Sequence, residues 1–392
     1  MANSVSASNI FGKFAILSIV LGFYFTFLVE GFTGFRGLRN LLLLLGSLLF
    51  LAKVLIDGRL IIQKDYLIYS LLSLPILIFS LPLWHSLSEV NVYISLITSI
   101  IVISSDYTYF KKTLRTLSYI LLILAAYEFF TRTYIFVVQR ETQSGIISLD
   151  PKLFGGFAGI FRAKGLFEGP LALAQYAIGL AFLFKSNLRM VLVACALAFF
   201  ANGRLGMIVC FLVLGIYFLE KYGVLNLLKS KKGLKIFVGA VLGLILAGSF
   251  FIDEKALERL QSVANIQDSG NSARLIYWKK GLDMFAEYDF WNQLLGNSGF
   301  YRYQVGNSAE NGWLMLLLDN GIVGFMYYFT PLLLITYLSV QKKTYHFAYM
   351  FLLFVCMMIQ TFHLGASANL LYWIIMYSFY LQLKGKQRYE VG

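Results

Sequence analysis

The sequence predicts an all-α polytopic membrane protein, and three observations carry that prediction. Of its 392 residues, 59% are hydrophobic and only 14% are charged, far from the usage of a soluble domain. Apolar runs long enough to cross a bilayer as helices recur from one end to the other. The connections between them alternate between lysine-rich and lysine-poor, as loops on opposite membrane faces do. Spanning strands are excluded, because lipid-exposed backbone tolerates only helices or closed barrels and these runs are continuous, not alternating.

The runs lie near Phe14–Val29, Leu38–Ile56, Tyr66–Leu83, Val90–Ser104, Leu117–Phe130, Leu171–Phe184, Leu188–Ala201, Leu205–Leu219, Leu234–Ile252, Gly321–Val340, Tyr345–Thr361 and Ala368–Leu383. That makes about twelve spans. The first has no small-residue cleavage pattern behind it and reads as a span, not a signal peptide. An even number of spans places both termini on one face. The connections carrying Arg59 and Lys64, Lys111, Lys112 and Arg115, Lys185 and Arg189, the run Lys221–Lys235, Lys342 and Lys343, and the tail with Lys384, Lys386 and Arg388 share that face. The short connections opposite hold only Arg36, Arg39 and Arg204. By the positive-inside rule the first set, and both termini, are cytoplasmic. The net charge of +13 is then a topology signal and not a mark of nucleic acid.

Two long loops, Thr131–Pro170 and Asp253–Gly312, fall on the outer side. The organisation read from this is an N-terminal bundle over 1–130, a first large outer loop over 131–170 and middle spans over 171–252. A second large outer loop follows over 253–320, then C-terminal spans and tail over 321–392. Cys195, Cys210 and Cys356 all sit inside apolar runs without a CxxC pair, which suits small core residues better than disulfides or zinc. The chain has no GxxxxGK[ST] loop, HExxH or Asp-x-Asp, so no cofactor or metal is expected.

The first loop is glycine-rich and ends in Arg162-Ala163-Lys164-Gly165-Leu166-Phe167-Glu168-Gly169-Pro170. Arg162 and Lys164 read either as cations at lipid headgroups or as contacts for an anionic substrate. Arg204 interrupts the tight outer turn Asn202-Gly203-Arg204-Leu205-Gly206. An arginine at the membrane edge is a functional candidate, with snorkelling to headgroups as the plain alternative. In the second loop, Leu275, Trp278, Leu282 and Phe285 recur at helical spacing over Ser272–Ala286, while Arg274, Lys280 and Asp283 point elsewhere. That pattern predicts a helix lying in the membrane interface. The planar fork of arginine suits bidentate phosphate contacts better than the point charge of lysine. Arg204 and Arg274 therefore suit a lipid-linked pyrophosphate and its stabilisation as a leaving group.

Glu310 is the best-placed base, ahead of a short apolar helix starting near Trp313. Asn307-x-x-Glu310 also fits a capping box, in which Glu310 merely satisfies a free backbone N–H. Asp319 reads as a helix-start residue. His85, His346 and His363 read as structural, with His363 alone on the candidate face. Lys53 and Glu128 are the clear mid-span charges, and their pairing across a cavity would favour a transporter.

These residues together resemble the O-antigen ligase and polymerase family of bacterial envelope enzymes. Arg274 and Trp278 match its arginine helix, Gly296-Asn297-Ser298-Gly299 a loosened Gly-x-Gly, and Asn311 and Leu314 its His-Asn-x-x-Leu. Asp319, Gly321 and Gly324 match its acidic-x-Gly-x-x-Gly entry to a span, and the Arg204 turn and the Arg162–Pro170 run also have counterparts. The similarity covers roughly Arg162 to Leu334. Glu310 stands where the ligase pattern has histidine, which favours the polymerase branch. The resemblance implies a metal-independent, C-type, inverting glycosyltransferase in the bacterial inner membrane, with both large loops periplasmic. Its donor and acceptor would be oligosaccharides on undecaprenyl pyrophosphate, polymerised into O-antigen or a related surface polysaccharide. A chain-length regulator and a flippase are further candidate partners. The implied catalytic residues are Glu310, Arg204 and Arg274, and the implied substrate contacts are Arg162, Lys164, Lys280, Trp278, Asn311 and Trp313. The alternatives are a ligase moving polymer to lipid A core and, from another class, a transporter or flippase.

Overall fold

The computed structural model describes residues 2–25, 37–60, 62–87, 90–136, 139–142, 145–148, 161–223, 269–360, 362 and 365–385, with backbone alone at 2–6, 139–142, 145–148, 269–273 and 366. The expected span Leu234–Ile252, the start of the second outer loop, Arg36, His363 and the tail beyond Gly385 lie outside the described residues.

The chain opens with α1 (Ala2–Tyr24) and α2 (Leu38–Asp57), packed along their lengths through small residues. A Cβ on Gly46 would meet Ile19 Cγ1 at 3.0 Å and the Ala15 carbonyl oxygen at 3.2 Å. Close backbone approach of this kind drives helix association in lipid, where apolar side chains gain little from leaving the hydrocarbon. The opposite face of α2 stays uncovered, with Leu44, Leu48 and Leu55 exposed. Next come α3 (Lys64–Leu71) and α4 (Ser73–Ser80), broken at Leu72 and followed by the 3-10 turn Leu81–Leu83.

A 42-residue helical stretch, α5 (Val90–Thr131), holds what the sequence divides into two spans. It breaks at Asp106, whose φ of −161° and ψ of 87° are not helical. The Asp106 carboxylate accepts the Tyr109 N–H at 2.8 Å, an N-cap that starts the second half. A two-stranded antiparallel hairpin, β1 (Gln139–Thr142) with β2 (Gly145–Ser148), is paired from Gln139–Ser148 to Thr142–Gly145. Otherwise the described elements are helical: α6 (Pro170–Leu183), α7 (Leu188–Phe200), α8 (Arg204–Tyr222), α9 (Ser269–Glu287), α10 (Phe290–Leu295), α11 (Phe300–Val305), α12 (Gly312–Gln341), α13 (His346–Ile359) and α14 (Ala366–Leu383). Among the described residues, six helices or helix pairs are long and apolar enough to cross a membrane, and α6, α7 and α13 are shorter apolar helices. The expected count of about twelve is thus reached only in part. The three cysteines are free and buried, as small core residues.

α12 shows how the bundle tolerates broken helices. It bends at Gly321, where φ is 63°, and carries Pro331. Proline has no N–H, so the carbonyl of Tyr327, four residues earlier, loses its helical partner. The Tyr69 hydroxyl donates to that carbonyl. Tyr327 in turn donates to the carbonyl of Tyr69 at 2.6 Å, an acceptor in the last turn of α3 that the break at Leu72 leaves open. The two rings stack at 4.5 Å. Each break is sealed by the residue at the other.

The polar side chains gather at two ends. One end is rich in lysine: Lys53 pairs with Asp57 at 2.5 Å, Lys185 with Glu220 at 3.6 Å and Lys384 with Asp65 at 3.7 Å. There His346 hydrogen-bonds Thr344 and Gln382 and is half of a tie between α13 and α14. The other end carries Arg39, Arg162, Arg204, Arg274 and Arg302 and holds every candidate site residue.

Candidate active site

Two corners of the arginine-bearing end present the candidate residues. The first is built where α5, α6 and the α7–α8 turn meet. The turn needs a left-handed residue, Asn202, with φ 47°, and Gly203 lies so close to α6 that a Cβ there would meet Ala174 Cβ at 2.7 Å. This fixes Arg204 as the first residue of α8, exposed on the outer edge. Arg162 is tied to the same turn: its Nε donates to the Ala201 carbonyl at 3.2 Å, and the Ala163 N–H donates to the Phe200 carbonyl at 2.9 Å. Arg162 and Arg204 are therefore brought to one turn.

Lys164 is not a surface cation. It is wholly buried, with Nζ donating to the Phe167 carbonyl at 3.4 Å and lying 5.4 Å from the centre of the Tyr134 ring. Burial pushes its ammonium below the usual lysine range, against the pull of Glu128. The expected contact with an anionic substrate is corrected accordingly: Lys164 faces the protein. Glu128 is fully engaged as well. Its carboxylate accepts N–H groups from Lys164 and Gly165, each at 2.8 Å, and from Ile135 at 3.2 Å. Lys53 is held at the opposite end by Asp57. The two mid-span charges do not pair across a cavity, and the observation that would have favoured a transporter is not met.

The second corner is a small separate core of Tyr301, Ala309, Leu314, Met315 and Leu318, against which Trp278, Met284 and Phe285 pack. α9 lies directly on α12. A Cβ on Gly281 would come within 2.8 Å of Leu314 Cδ2. The apolar positions of α9 divide between two sides: Trp278 and Phe285 turn toward the protein, while Leu275, Ile276 and Leu282 are exposed. Lys279 and Lys280 are exposed. The Tyr301 hydroxyl donates to the Tyr277 carbonyl at 2.8 Å, joining α11 to α9.

From this core Arg274 and Glu310 meet. Arg274 Nε donates to Glu310 Oε2 at 2.8 Å, with both side chains about two-fifths exposed at 44% and 39%. The capping box is not formed. Asn311, not Asn307, is the N-cap of α12, accepting the Leu314 N–H at 3.1 Å. Asn307 accepts the N–H of its neighbour Ser308. Glu310 sits outside the helix with φ 52°, a left-handed conformation costing an ordinary residue roughly 1–2 kcal/mol. The Asn311 side-chain oxygen is thereby engaged as a cap. Trp313 is buried among Phe325, Phe329 and Phe354, and its indole N–H donates to the Phe354 carbonyl at 3.0 Å. Its polar edge is used inside the protein.

Asp319 is not a helix-start residue. It is fully buried just before the Gly321 break, accepts the Gly299 N–H at 2.9 Å, and pairs with Arg302 Nη2 at 3.4 Å. The sequence reading passed over Arg302. The available signal was a Gly-x-x-Gly at 296–299 facing an Asp-Asn-Gly at 319–321, two glycine turns that interlock. A Cβ on Gly296 would lie 2.5 Å from the Asp319 carbonyl, and one on Gly321 2.5 Å from the Gly296 nitrogen. His85 packs its ring on Tyr303 at 4.4 Å, a structural placement.

The corners flank the turn after α13. A Cβ on Gly365 would meet Gln175 Oε1 of α6 at 3.0 Å, and one on Gly312 would meet the Gln360 carbonyl oxygen at 2.6 Å. Arg162 and Arg204 thus belong to one corner, and Arg274 and Glu310 to the other. A concavity of about 120 Å³ lies elsewhere, toward the lysine end, lined by Tyr66, Tyr69, Pro331, Trp373 and Tyr377. It is apolar and lacks the cations a phosphate needs. Among the described residues, no three His, Cys, Asp or Glu side chains are grouped to hold a metal ion.

Residues 189–329 match the family model described as O-antigen ligase. The matched region takes in Arg204, Arg274, Trp278, Lys280, Arg302, Glu310, Asn311, Trp313 and Asp319, and leaves Arg162 and Lys164 outside. No curated protein sequence matches the chain. The match and the apolar helices are together consistent with a multi-pass membrane protein similar to the O-antigen ligases over that region.

Proposed function

We propose that the chain is a polymerase that joins undecaprenyl-pyrophosphate-linked oligosaccharide repeat units into surface polysaccharide. In this reading the arginine-bearing end is periplasmic and the lysine end cytoplasmic, as the positive-inside rule requires. The enzyme sits in the bacterial inner membrane with both termini inside.

One observation carries the reading: the cost of holding Glu310 where it is. An exposed ion pair contributes about 0–1 kcal/mol, less than the roughly 1–2 kcal/mol of a left-handed glutamate. Backbone strain alone favours a glycine at this position. Strain kept at an exposed, ion-paired carboxylate points to use of that carboxylate.

The mechanism follows from the pair. An arriving diphosphate offers Arg274 a doubly charged partner, to which its fork binds better than to one carboxylate. Glu310 is then released as a base. The acceptor hydroxyl attacks the anomeric carbon and loses its proton to Glu310, while the bond from that carbon to the diphosphate oxygen breaks. The diphosphate leaves with the electron pair, held by Arg274 and by Arg204 and Arg162 from the other corner. Carbon changes configuration once, so the linkage is inverted. No metal or cofactor enters the scheme. Trp278 lies one turn along α9 from Arg274, and Lys280, exposed further along the same helix, adds a cation near the site.

The ligase description of the matching family model favours a second reading, transfer of finished polymer to lipid A core. The glutamate at position 310, where the ligase pattern has histidine, favours the polymerase. A deletion strain separates them. Loss of a polymerase leaves a single repeat on the surface glycolipid, whereas loss of a ligase leaves none and strands polymer on its carrier. Complementation with Glu310→Gln is expected to reproduce the single-repeat pattern. A normal ladder from that variant would remove the carboxylate from the chemistry.

A further inference from the structure

Outside the Arg274–Glu310 pair, the second corner holds a second fixed cation. Arg302 lies on α11, whose position is set by the interlocked glycine turns at 296 and 321 and by Gly299, where a Cβ would fall on the Ser86 side chain. Its Nη2 reaches the wholly buried carboxylate of Asp319, yet its side chain remains 32% exposed. Asp319 also accepts the Gly299 N–H at the start of the same helix. A buried carboxylate is costly unless fully partnered, and the partners of this one tie the start of α11 and the Arg302 guanidinium to the same side chain. Beside it Tyr303 is exposed, with the His85 ring packed against it. A clamped guanidinium next to an open aromatic face suits a phosphorylated sugar: the fork takes phosphate oxygens, and the ring takes the apolar C–H face of the pyranose.

We propose that Arg302 with Tyr303 forms a second subsite for a glycosyl diphosphate, and that Asp319 is the positioning residue that holds it. The proposal rests on the glycosyltransferase reading above and adds residues to its site. A polymerase brings two lipid-linked glycans together, and each carries a diphosphate that needs its own cation.

The test uses the full chain in nanodiscs and undecaprenyl pyrophosphate without sugar as the probe. Replacing the pair by neutral amides, Arg302→Gln with Asp319→Asn, keeps the buried contact hydrogen-bonded and removes the charge. A fastening role alone predicts wild-type binding once thermal stability is restored. The subsite predicts that binding falls from about two carrier molecules per chain to about one at unchanged thermal midpoint. If the double variant does not fold, arginine modification of the wild-type protein by phenylglyoxal, mapped by mass spectrometry, decides. Protection of Arg302 by undecaprenyl pyrophosphate supports the subsite. Protection of Arg274 without Arg302 overturns it and leaves the glycosyltransferase reading standing. Protection of neither overturns both.

Discussion

The two corners of the arginine-bearing end use similar parts for different purposes. Each has a carboxylate, arginines, and a chain reversal through a left-handed residue. In the first corner that residue is Asn202, a type that tolerates the conformation because its short amide can hydrogen-bond locally. Its carboxylate, Glu128, is buried and satisfied by three backbone N–H groups. In the second corner the left-handed residue is itself the carboxylate, Glu310, exposed and held by a surface ion pair. Glu128 fastens a loop. Glu310 holds a strained conformation for the sake of a surface ion pair, and the proposed base role gives that strain a use.

Exchanging the two glutamates for neutral residues breaks this comparison most directly. Glu310→Gln is expected to lower chain growth by roughly 10²–10⁴-fold, the usual weight of a general base, at an unchanged thermal midpoint in detergent. Glu128→Ala is expected to do the reverse. It leaves buried N–H groups unpaired at about 1–3 kcal/mol each and lowers the midpoint, while any protein that does fold still makes polymer. Equal loss of stability in both variants would erase the distinction.

A smaller effect separates the two cations of the first corner. Arg162 is anchored beside Arg204 and keeps part of its side chain in the open, whereas Lys164 is buried against Tyr134 and Phe167. Arg162→Ala is expected to shorten polymer and reduce turnover about tenfold, equivalent to about 1.4 kcal/mol. Lys164→Met fills the same space without a charge to bury and is expected to leave polymer length unchanged. Surface glycan ladders from complemented strains read both. A larger effect from Lys164→Met would return that residue to the site.

The outline of this molecule was legible because membrane spans are written in simple terms. Long apolar runs and the placement of lysine mark helices and their ends without reference to partners. The division inside Val90–Thr131 was equally readable, since Lys111, Lys112 and Arg115 separate two apolar runs, but its place at Asp106 was not. The site was legible only in its charges. Arg274 and Glu310 lie 36 residues apart in sequence and meet in space, whereas Arg204, expected beside them, stands in the other corner. What each side chain touches was not legible. Asn311 and Asn307 are both good caps, and only the helix start at Gly312 chooses between them. Trp278 and Leu282 share a helical period, but the small Gly281 between them decides which side meets α12. Lys164 looks like a loop cation until the loop is found folded over it. Asp319 and Arg302 became visible as a pair only when two glycine turns were seen to interlock.

The finest form of the comparison exchanges the left-handed residues themselves. Glycine adopts this conformation without a Cβ penalty, so Glu310→Gly releases roughly 1–2 kcal/mol of backbone strain. Against that stand the greater freedom of glycine in the unfolded chain, about 0.4–1 kcal/mol, and the loss of a surface ion pair worth about 0–1 kcal/mol. The balance runs from about −1 to about +1.6 kcal/mol and is centred slightly on the favourable side, an unusual outcome for deleting a charged side chain. Asn202→Gly has less strain to release and carries the same entropic cost, so its balance is near zero or slightly unfavourable. Denaturation midpoints of the two variants are expected to fall in that order, with Glu310→Gly at or above wild type and inactive. A stable, inactive Glu310→Gly would show that the fold carries this glutamate as a burden. A clearly destabilised one would show that Glu310 is a fastener like Glu128, and the contrast between the corners would fail.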